Sequence, residues 1–328
     1  MQLNLPINHL IDDSQNILIA GAGGGFDIYS GLPLYFHFRN LGKAVHLANY
    51  SFVDFTFAKM AGTVVQEIPT LLIGAKGKMK GPVPYYPEGY LAEWFLQHEG
   101  REEIIWMFDN PAVETLKAAY KHLVKKFNID TLILVDGGVD SLMRGNEQAP
   151  GSLLEDTISL IAIEDLDVPT KILATIGFGT EVEEGVCHHH ALENMAALTK
   201  ARAFYGSCSL LPQMIGFDKF EAACRYAWDK QATDPEFLRR SRSHISTRII
   251  PAAHGEFGDY RMYDDEKVRR FISPLMNIYW FFDAPKVLES SLVADILRGS
   301  LTKDDARSRL LLWLIENKKK RPRTNIPY

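Results

Sequence analysis

The feature that most constrains the fold is an alternation of short apolar runs with longer amphipathic stretches over the first two-thirds of the chain. Apolar runs of strand length occur at residues 16–20, 44–48, 70–73, 104–108, 131–135 and 171–176. Helical patterns of about ten or more residues separate several of these runs. Strands joined through helices in this way form βαβ units. The sequence therefore predicts an α/β, Rossmann-like fold, with a mainly parallel sheet and helices on both faces.

The pattern changes after about Gly206. Residues 247–252 (TRIIPA) predict a late strand at an edge of the sheet, because Pro251 cannot donate a hydrogen bond to a neighbouring strand. Helical patterns follow, and we predict a Rossmann-like domain over residues 1–286 and a helical C-terminal extension over residues 287–328. The extension ends in a basic run, KKKRPR, which is predicted to be a solvated tail.

Composition excludes several classes of protein. Hydrophobic residues make up 46% of the 328 residues, which excludes a disordered chain. The formal charge of −5 argues against nucleic acid as a partner, and no apolar stretch approaches the ~20 residues of a membrane span. The three cysteines form no CxxC pair, and the first residues lack the pattern of a secretory signal. We expect a cytoplasmic protein that binds a small molecule, and a homo-oligomer remains open.

The first candidate site is a glycine-rich segment, GAGGGFD at residues 21–27, between the first strand and a helix. Glycine lets a backbone approach a ligand closely, and free amides at a helix start bind anions, typically phosphate. The segment is not a dinucleotide fingerprint, since Phe26 stands where that pattern requires glycine. We expect Asp27 to face the ligand, with Asn49 beside it; a tight turn packed on the sheet is the alternative. The glycines expected to bind the anion are Gly21, Gly23, Gly24 and Gly25.

A second candidate, DGGVDSLMRGNE at residues 136–147, directly follows another strand. In open α/β sheets ligands bind outside the carboxyl ends of the strands. Asp136 and Asp140 could share Mg²⁺, a hard cation that prefers carboxylate oxygens, or one of them could act as a general base. Arg144 is suited to binding a phosphate or carboxylate in a bidentate manner. The alternative is that Asp136 caps a helix and the rest is a solvated loop. The other candidates in this segment are Gly137, Gly138 and Glu147.

A third candidate follows the strand at residues 171–176. It comprises GFGTE, which ends at Glu181, and the run Cys187-His188-His189-His190. Glu181 and His188 are secondary candidates for acid–base catalysis. His189 and Glu193 are four residues apart on one helix face, which is compatible with metal binding or an acid–base pair. Surface histidines at the start of a helix are the alternative.

In combination, these motifs resemble a known family. The segments GAGGGFD, LPL at residues 32–34, NYS at residues 49–51 and DGGVDSLMRGNE resemble bacterial and archaeal proteins classed as a domain of unknown function. The resemblance spans at least residues 16–282 and implies an α/β fold and a soluble intracellular protein. It also implies an acidic residue where Asn146 stands, but it implies no activity.

The residues themselves lead to one hypothesis and two alternatives. We expect an enzyme that hydrolyses, or transfers a group of, a small phosphorylated or nucleotide-like molecule. Asp136 and Asp140 would bind a metal or act as the base, and Arg144 would neutralise developing negative charge. A ligand sensor with the same pocket and a structural homo-oligomer are the alternatives. The hypothesis requires the glycine loop and the acidic loops to meet at one cavity.

Overall fold

A nine-stranded sheet forms the centre of the protein. The computed structural model describes residues 5–81, 83, 85–230, 243, 245–261, 270–317 and 320–326. The strands of the main sheet are β1 (Asn16–Gly21), β2 (Ala44–Ser51), β3 (Thr63–Ile68), β4 (Leu72–Lys76), β5 (Ile105–Asp109), β6 (Thr131–Asp136), β7 (Thr170–Ile176), β8 (Phe204–Ser209) and β11 (Ile278–Asp283). The strands β9 (Gly258–Tyr260) and β10 (Arg270–Ile272) form a separate antiparallel pair.

The main sheet has the order β3-β4-β5-β2-β1-β6-β7-β11-β8. Its five central strands, β5-β2-β1-β6-β7, are parallel. Numbered by their order in the chain, these five lie as 3-2-1-4-5, which is the Rossmann order. The flanking strands on both sides are antiparallel additions. The order reverses between β1 and β6, and this is the point at which sheets of this kind bind ligands.

Helices cover both faces of the sheet, so the predicted fold class is confirmed. Side chains of β1 alternate between the faces: Ile17 and Ile19 belong to one hydrophobic cluster, and Leu18 and Ala20 belong to the other. In the described parts of the chain, no helix is both long and apolar enough to cross a membrane. The helices are α1 (Asn8–Ile11), α2 (Asp27–Ser30), α3 (Leu32–Asn40), α4 (Phe55–Ala61), α5 (Pro87–His98), α6 (Val113–Phe127), α7 (Leu153–Glu164), α8 (His188–Lys200), α9 (Phe217–Lys230), α10 (Ser246–Ala253), α11 (Ala284–Glu289), α12 (Ala294–Leu297) and α13 (Lys303–Glu316).

The predicted late strand at residues 247–252 is wrong, because this segment lies in α10. All eight residues of α10 are buried, and a short apolar run that is buried all round has no period that distinguishes strand from helix. The predicted helical C-terminal extension, residues 287–328, comprises the end of α11, then α12 and α13. The division of the chain at residue 286 stays a prediction, and this residue lies inside α11.

The basic C-terminal segment is not a free solvated tail, contrary to the prediction. Lys320 and Arg321 pack against the rest of the chain, whereas Pro322 and Arg323 are exposed. We call residues 320–326 the C-terminal arm. The backbone N–H of Arg321 donates to the carbonyl of Asn146 at 2.7 Å, and its guanidinium forms an ion pair with Glu147. The side chain of Glu147 is 0% exposed, so the arm supplies the positive charge that this buried carboxylate needs. Residues 318 and 319 of the predicted tail lie outside the described residues.

Candidate functional site

A cavity of about 300 Å³ opens where the strand order reverses, at the carboxyl ends of β1 and β6. The loops that follow β1, β6 and β7 all contribute to its walls, so the loops that the hypothesis requires to meet do meet. The residues that line the cavity are Gly23, Gly24, Gly25, Phe26, Asp27, Phe52, Tyr85, Asp136, Gly137, Asp140, Ser152, Glu155, Glu181, Glu184, Ser243 and Ile245.

Five carboxyl groups, which we call the acidic cluster, lie in the cavity or directly behind its wall. Asp136, Asp140 and Asp156 each have an oxygen within 4.8 Å of an oxygen of the other two. Asp27 and Glu181 line the cavity beside them, and the charge of Asp140 acts on both. Among the described residues that line the cavity there is no lysine, arginine or histidine. The described lining therefore presents a concentration of carboxyl groups to a ligand.

Two serines fix the carboxylates that follow β6. Asp136 Oδ2 accepts hydrogen bonds from the backbone N–H of Ser141 at 3.3 Å and from its hydroxyl. Asp140 Oδ2 accepts hydrogen bonds from the backbone N–H and the hydroxyl of Ser152 at 2.6 and 2.7 Å. Asp136 thus caps the short 3₁₀ turn that begins at Asp140 and also lines the cavity. The capping role and the site role, which the sequence offered as alternatives, are compatible.

The glycine loop after β1 positions a carboxylate. Asp27 Oδ2 accepts hydrogen bonds from the backbone N–H groups of Gly23 and Gly24 at 2.8 and 3.0 Å. Asp27 Oδ1 accepts one from the N–H of Gly137 at 3.3 Å. These amides were expected to bind an anionic ligand, and in this structure they donate to the carboxyl group of Asp27 instead. The glycine loop thus provides free amides as predicted, but a side chain of the same protein accepts their hydrogen bonds.

Glu181 reaches the same place from the loop after β7. Its Oε2 accepts hydrogen bonds from the N–H groups of Val139 and Asp140 at 2.7 and 3.2 Å. A Cβ atom on Gly138 would lie 2.3 Å from the carboxyl carbon of Glu181, so only glycine permits this approach. The loops after β6 and β7 are therefore joined by hydrogen bonds to one buried carboxylate.

Asp156, near the start of α7, is the cluster member that the sequence analysis missed. It is 1% exposed, and neither of its carboxyl oxygens has a hydrogen-bond partner in the described part of the chain. A Cβ atom on Gly23 would lie 2.8 Å from its Oδ1, so Asp156 lies directly behind the glycine loop. A signal was present, because Asp156 lies in a mainly apolar helix, α7 (LLEDTISLIAIE), that is almost wholly buried. The sequence analysis did not recognise Asp156 as a site residue, because acidic residues are common in the first turn of a helix, where they interact favourably with the helix dipole.

Burial and mutual repulsion raise the pKa values of the cluster. Burial, followed by the charge of Asp140, raises the pKa of Asp27 to about 7. The same two causes hold the pKa values of Asp136, Asp156 and Glu181 well above their usual range. Without a cation, the folded protein therefore retains carboxyl protons at pH values where exposed carboxyl groups have lost theirs.

Asn49 and Gly21 support the glycine loop from behind and do not line the cavity. The side-chain amide of Asn49 donates to the carbonyl of Gly25 at 2.9 Å and to Glu88 Oε1 at 2.7 Å. A Cβ atom on Gly21 would lie 2.1 Å from Asn49 Oδ1. Glu88, which the sequence analysis also missed, is 1% exposed, and burial raises its pKa to about 7.

Three residues predicted to be catalytic lie away from the cavity lining. Arg144 Nε donates to the carbonyl of Ser290 at 3.1 Å, and His188 begins α8. Burial alone would raise the pKa of Glu147, but hydrogen bonds, first among them the one from the amide of Arg144, outweigh it and hold the pKa below its usual value. Glu147 is thus an ionised partner of Arg321. The structure assigns it to holding the C-terminal arm.

A Rossmann-order sheet with an acidic cavity at the reversal of its strand order defines the class of this protein. The chain belongs to the DUF1152 family, described as a protein of unknown function, whose sequence model matches residues 96–317. This match confirms the resemblance to a domain of unknown function. The matched segment contains four members of the acidic cluster and begins after the fifth, Asp27. No curated protein and no solved structure matched the chain.

Proposed function

We propose that the acidic cluster binds a divalent cation, Mg²⁺ by the chemistry of its ligands, and that the protein is a metal-assisted hydrolase or transferase. Its substrate would be a small phosphorylated or nucleotide-like molecule. The observation that carries the proposal is Asp156, a buried carboxyl group without a hydrogen-bond partner among the described residues, beside Asp136 and Asp140. Hard cations take carboxylate oxygens as ligands.

A cation accounts for Asp156 better than a purely structural role does. A buried ionised carboxylate without a partner is strongly unfavourable, and a buried carboxyl hydroxyl without an acceptor is unfavourable as well. A cation shared with Asp136 and Asp140, whose oxygens lie within 4.8 Å, removes either penalty. The serine hydrogen bonds that fix Asp136 and Asp140 would then hold two ligands in place before the cation binds.

A cation also supports binding of a phosphate in this cavity. The carboxylates repel phosphate oxygens, and the amides of Gly23 and Gly24 already serve Asp27. When bound, a divalent cation would supply the positive charge between the carboxylates and the substrate and would polarise a phosphoryl group. The cavity volume of about 300 Å³ is at the lower end of the range for small-molecule sites, which favours a small substrate over a dinucleotide.

The sensor alternative would be favoured by carboxylates that cap separate helices. Asp27, Asp136 and Asp140 instead line one cavity, and this convergence favours catalysis. Asp27 and Glu181 would complete the charge around the cation, and they follow β1 and β7, the two strands that flank β6.

Isothermal titration calorimetry with MgCl₂, MnCl₂ and CaCl₂ tests the metal site. We expect the wild type to bind at least one of these cations and Asp156→Asn to bind it at least ~10-fold more weakly. Asp167→Asn, which alters an exposed carboxylate beyond the same helix, is the matched control and should bind as the wild type does. Equal affinity in the wild type and Asp156→Asn would contradict the metal site.

Turnover is tested by screening phosphate esters and nucleotides for product formation in the presence of the bound cation. Asp136→Asn and Asp140→Asn should each abolish turnover while the circular dichroism spectrum stays unchanged. Full activity in both variants would contradict the assignment.

A further inference from the structure

One wall of the cavity is aromatic. Phe26, Phe52 and Tyr85 line it, and the rings of Phe26 and Tyr85 pack edge to face with centroids 6.0 Å apart. Phe52 is 46% exposed, so much of its ring faces solvent at the cavity. An exposed aromatic ring in a cavity is a stacking surface for another planar ring.

Phe52 and the acidic cluster contact neighbouring residues of the glycine loop. A Cβ atom on Gly24 would lie 2.7 Å from Cζ of Phe52, and one on Gly23 would lie 2.8 Å from Oδ1 of Asp156. The Cα atoms of adjacent residues are about 3.8 Å apart. The ring and the cluster thus lie against adjacent residues of one loop, and Phe52, Asp27 and Asp136 all line the same cavity.

A donor and an acceptor lie next to the Phe52 ring. Lys303 Nζ lies over one face of the ring, 5.1 Å from its centroid, and forms an ion pair with Glu155 Oε1 at 2.7 Å and a hydrogen bond to Asn110 Oδ1 at 2.5 Å. Glu155 itself lines the cavity. Nucleobases carry donors and acceptors side by side along their edges, and proteins recognise them by stacking combined with hydrogen bonds to those edges.

The position of Phe52 in the fold points the same way. It is the first residue after β2, and in sheets of this order the nucleoside lies beside the end of the second strand. Dinucleotide enzymes place an acid there for the ribose. Here the first acid after β2 along the chain, Asp54, accepts hydrogen bonds from the amides of Thr56 and Phe57 as the N-cap of α4. The residue that directly follows β2 therefore carries an aromatic ring, and the acid after it is used as a helix cap.

We infer that Phe52, Glu155 and Lys303 form a nucleobase subsite, and that the molecule bound at the acidic cluster is a nucleotide. The base stacks on the face of Phe52 that Lys303 does not cover, its edge bonds to Glu155, which Lys303 holds in place, and its phosphate meets the cation at the cluster. The part of this inference that concerns the phosphate rests on the proposed function. The part that concerns the base rests on the aromatic wall and on the ion pair beside it.

The experiment compares nucleotides with a phosphorylated sugar that has no base. Calorimetry in MgCl₂ would measure the affinity of the 5′-monophosphates and 5′-triphosphates of adenosine, guanosine, cytidine and uridine, and of ribose 5-phosphate. We expect at least one nucleotide to bind more tightly than ribose 5-phosphate. Phe52→Ala should weaken that nucleotide by ~10-fold or more, the loss expected for one stacked base, and leave the affinities for ribose 5-phosphate and Mg²⁺ unchanged. Phe52→Trp should retain nucleotide binding, and Glu155→Gln should change which base is preferred.

The outcomes separate this inference from the proposed function. Mg²⁺ binding with no preference for any nucleotide over ribose 5-phosphate would overturn the subsite and leave the metal site standing. An unchanged nucleotide affinity in Phe52→Ala would do the same. Nucleotide binding that depends on Phe52 in a protein that does not bind Mg²⁺ would support the subsite and contradict the metal-assisted function. Absence of nucleotide binding with every cation would overturn the inference.

Discussion

The free energy of unfolding of the metal-free protein should fall as the pH rises from about 6.5 to about 8. Below about pH 6.5, His37 and His46, whose pKa values burial lowers from 6.5 to about 4, act in the opposite direction, because their unfolded forms bind protons that the folded forms do not. The pKa of Asp27 is about 7 in the folded protein against a usual value of 3.8. Between these two values the folded state holds a proton that the unfolded state has lost, so raising the pH favours unfolding. The fall due to Asp27 is complete above about pH 7. Asp136, Asp156 and Glu181, whose pKa values are raised further, act in the same direction.

The size of the effect follows from the shifts. A change from 3.8 to about 7 is about 3 pKa units, and at about 1.36 kcal/mol per unit this limits the contribution of Asp27 to ~4 kcal/mol. Because Asp27 remains partly exposed to solvent in the cavity, we expect ~2 kcal/mol. Glu88, whose pKa is raised from 4.5 to about 7 by burial, adds up to ~3 kcal/mol over the same range and lies outside the cluster.

Urea unfolding followed by circular dichroism at several pH values, in EDTA and in MgCl₂, measures this dependence. A cation at 100 times its Kd adds about 2.7 kcal/mol if it binds only the folded state, and its effect should grow with pH because the ligands must lose their protons. Glu88→Gln is the control. It should remove the contribution of Glu88 to the pH dependence, which Mg²⁺ does not affect, and the rise in the free energy of unfolding on addition of Mg²⁺ should stay the same. A free energy of unfolding that stays level or rises between pH 6.5 and pH 8 in EDTA would refute the reasoning.

Three substitutions give further predictions. Asp156→Asn should raise the free energy of unfolding of the metal-free protein near pH 8, since a neutral amide replaces a buried carboxyl group, and should remove most of the Mg²⁺-dependent rise in Tm. Gly138→Ala should lower the free energy of unfolding by about 1–3 kcal/mol, because the added Cβ would lie 2.3 Å from a buried carboxyl carbon. Gly81→Ala, whose Cβ would meet nothing within 4 Å, is its control in the same urea titration. Arg321→Ala should lower the free energy of unfolding by about 2 kcal/mol, less than for a fully buried pair because its side chain is partly exposed. Adding Glu147→Gln to that variant should recover most of the loss, and equal stabilities of the single and double variants would contradict this.

The apolar runs in the sequence were sufficient to predict the parallel strands of the sheet, because a strand that is buried on both faces is a continuous apolar run. The run at residues 131–135, for example, is β6. The edge strands β3 and β8 were not predicted, since their side chains are half-buried or exposed and form no apolar run. The order of the strands depends on contacts between residues far apart in the chain, which local patterns do not encode.

The site was predictable where a carboxylate directly follows a strand. Asp27, Asp136, Asp140 and Glu181 lie in loops at the carboxyl ends of parallel strands, and the structure brings all four to one cavity. Asp156 could not be recognised in the same way, because it is carried by a helix and its role depends on how α7 packs behind the glycine loop. The same rule wrongly placed Arg144 and Glu147 at the cavity. Both lie near the end of the segment at residues 136–147, where the chain has already left the cavity.

The C-terminal arm has a consequence for how this part of the molecule opens. The backbone of Arg321 exchanges hydrogen bonds with Asn146 and Gln148, so the arm and the end of the loop that carries Asp136 form a short parallel ladder. Separating the two segments would leave the ionised, fully enclosed carboxylate of Glu147 without the guanidinium of Arg321. The two segments should therefore fluctuate as one cooperative unit. In native-state hydrogen exchange, the amide protons of Gln148 and Arg321 should then show equal protection although they are far apart in sequence.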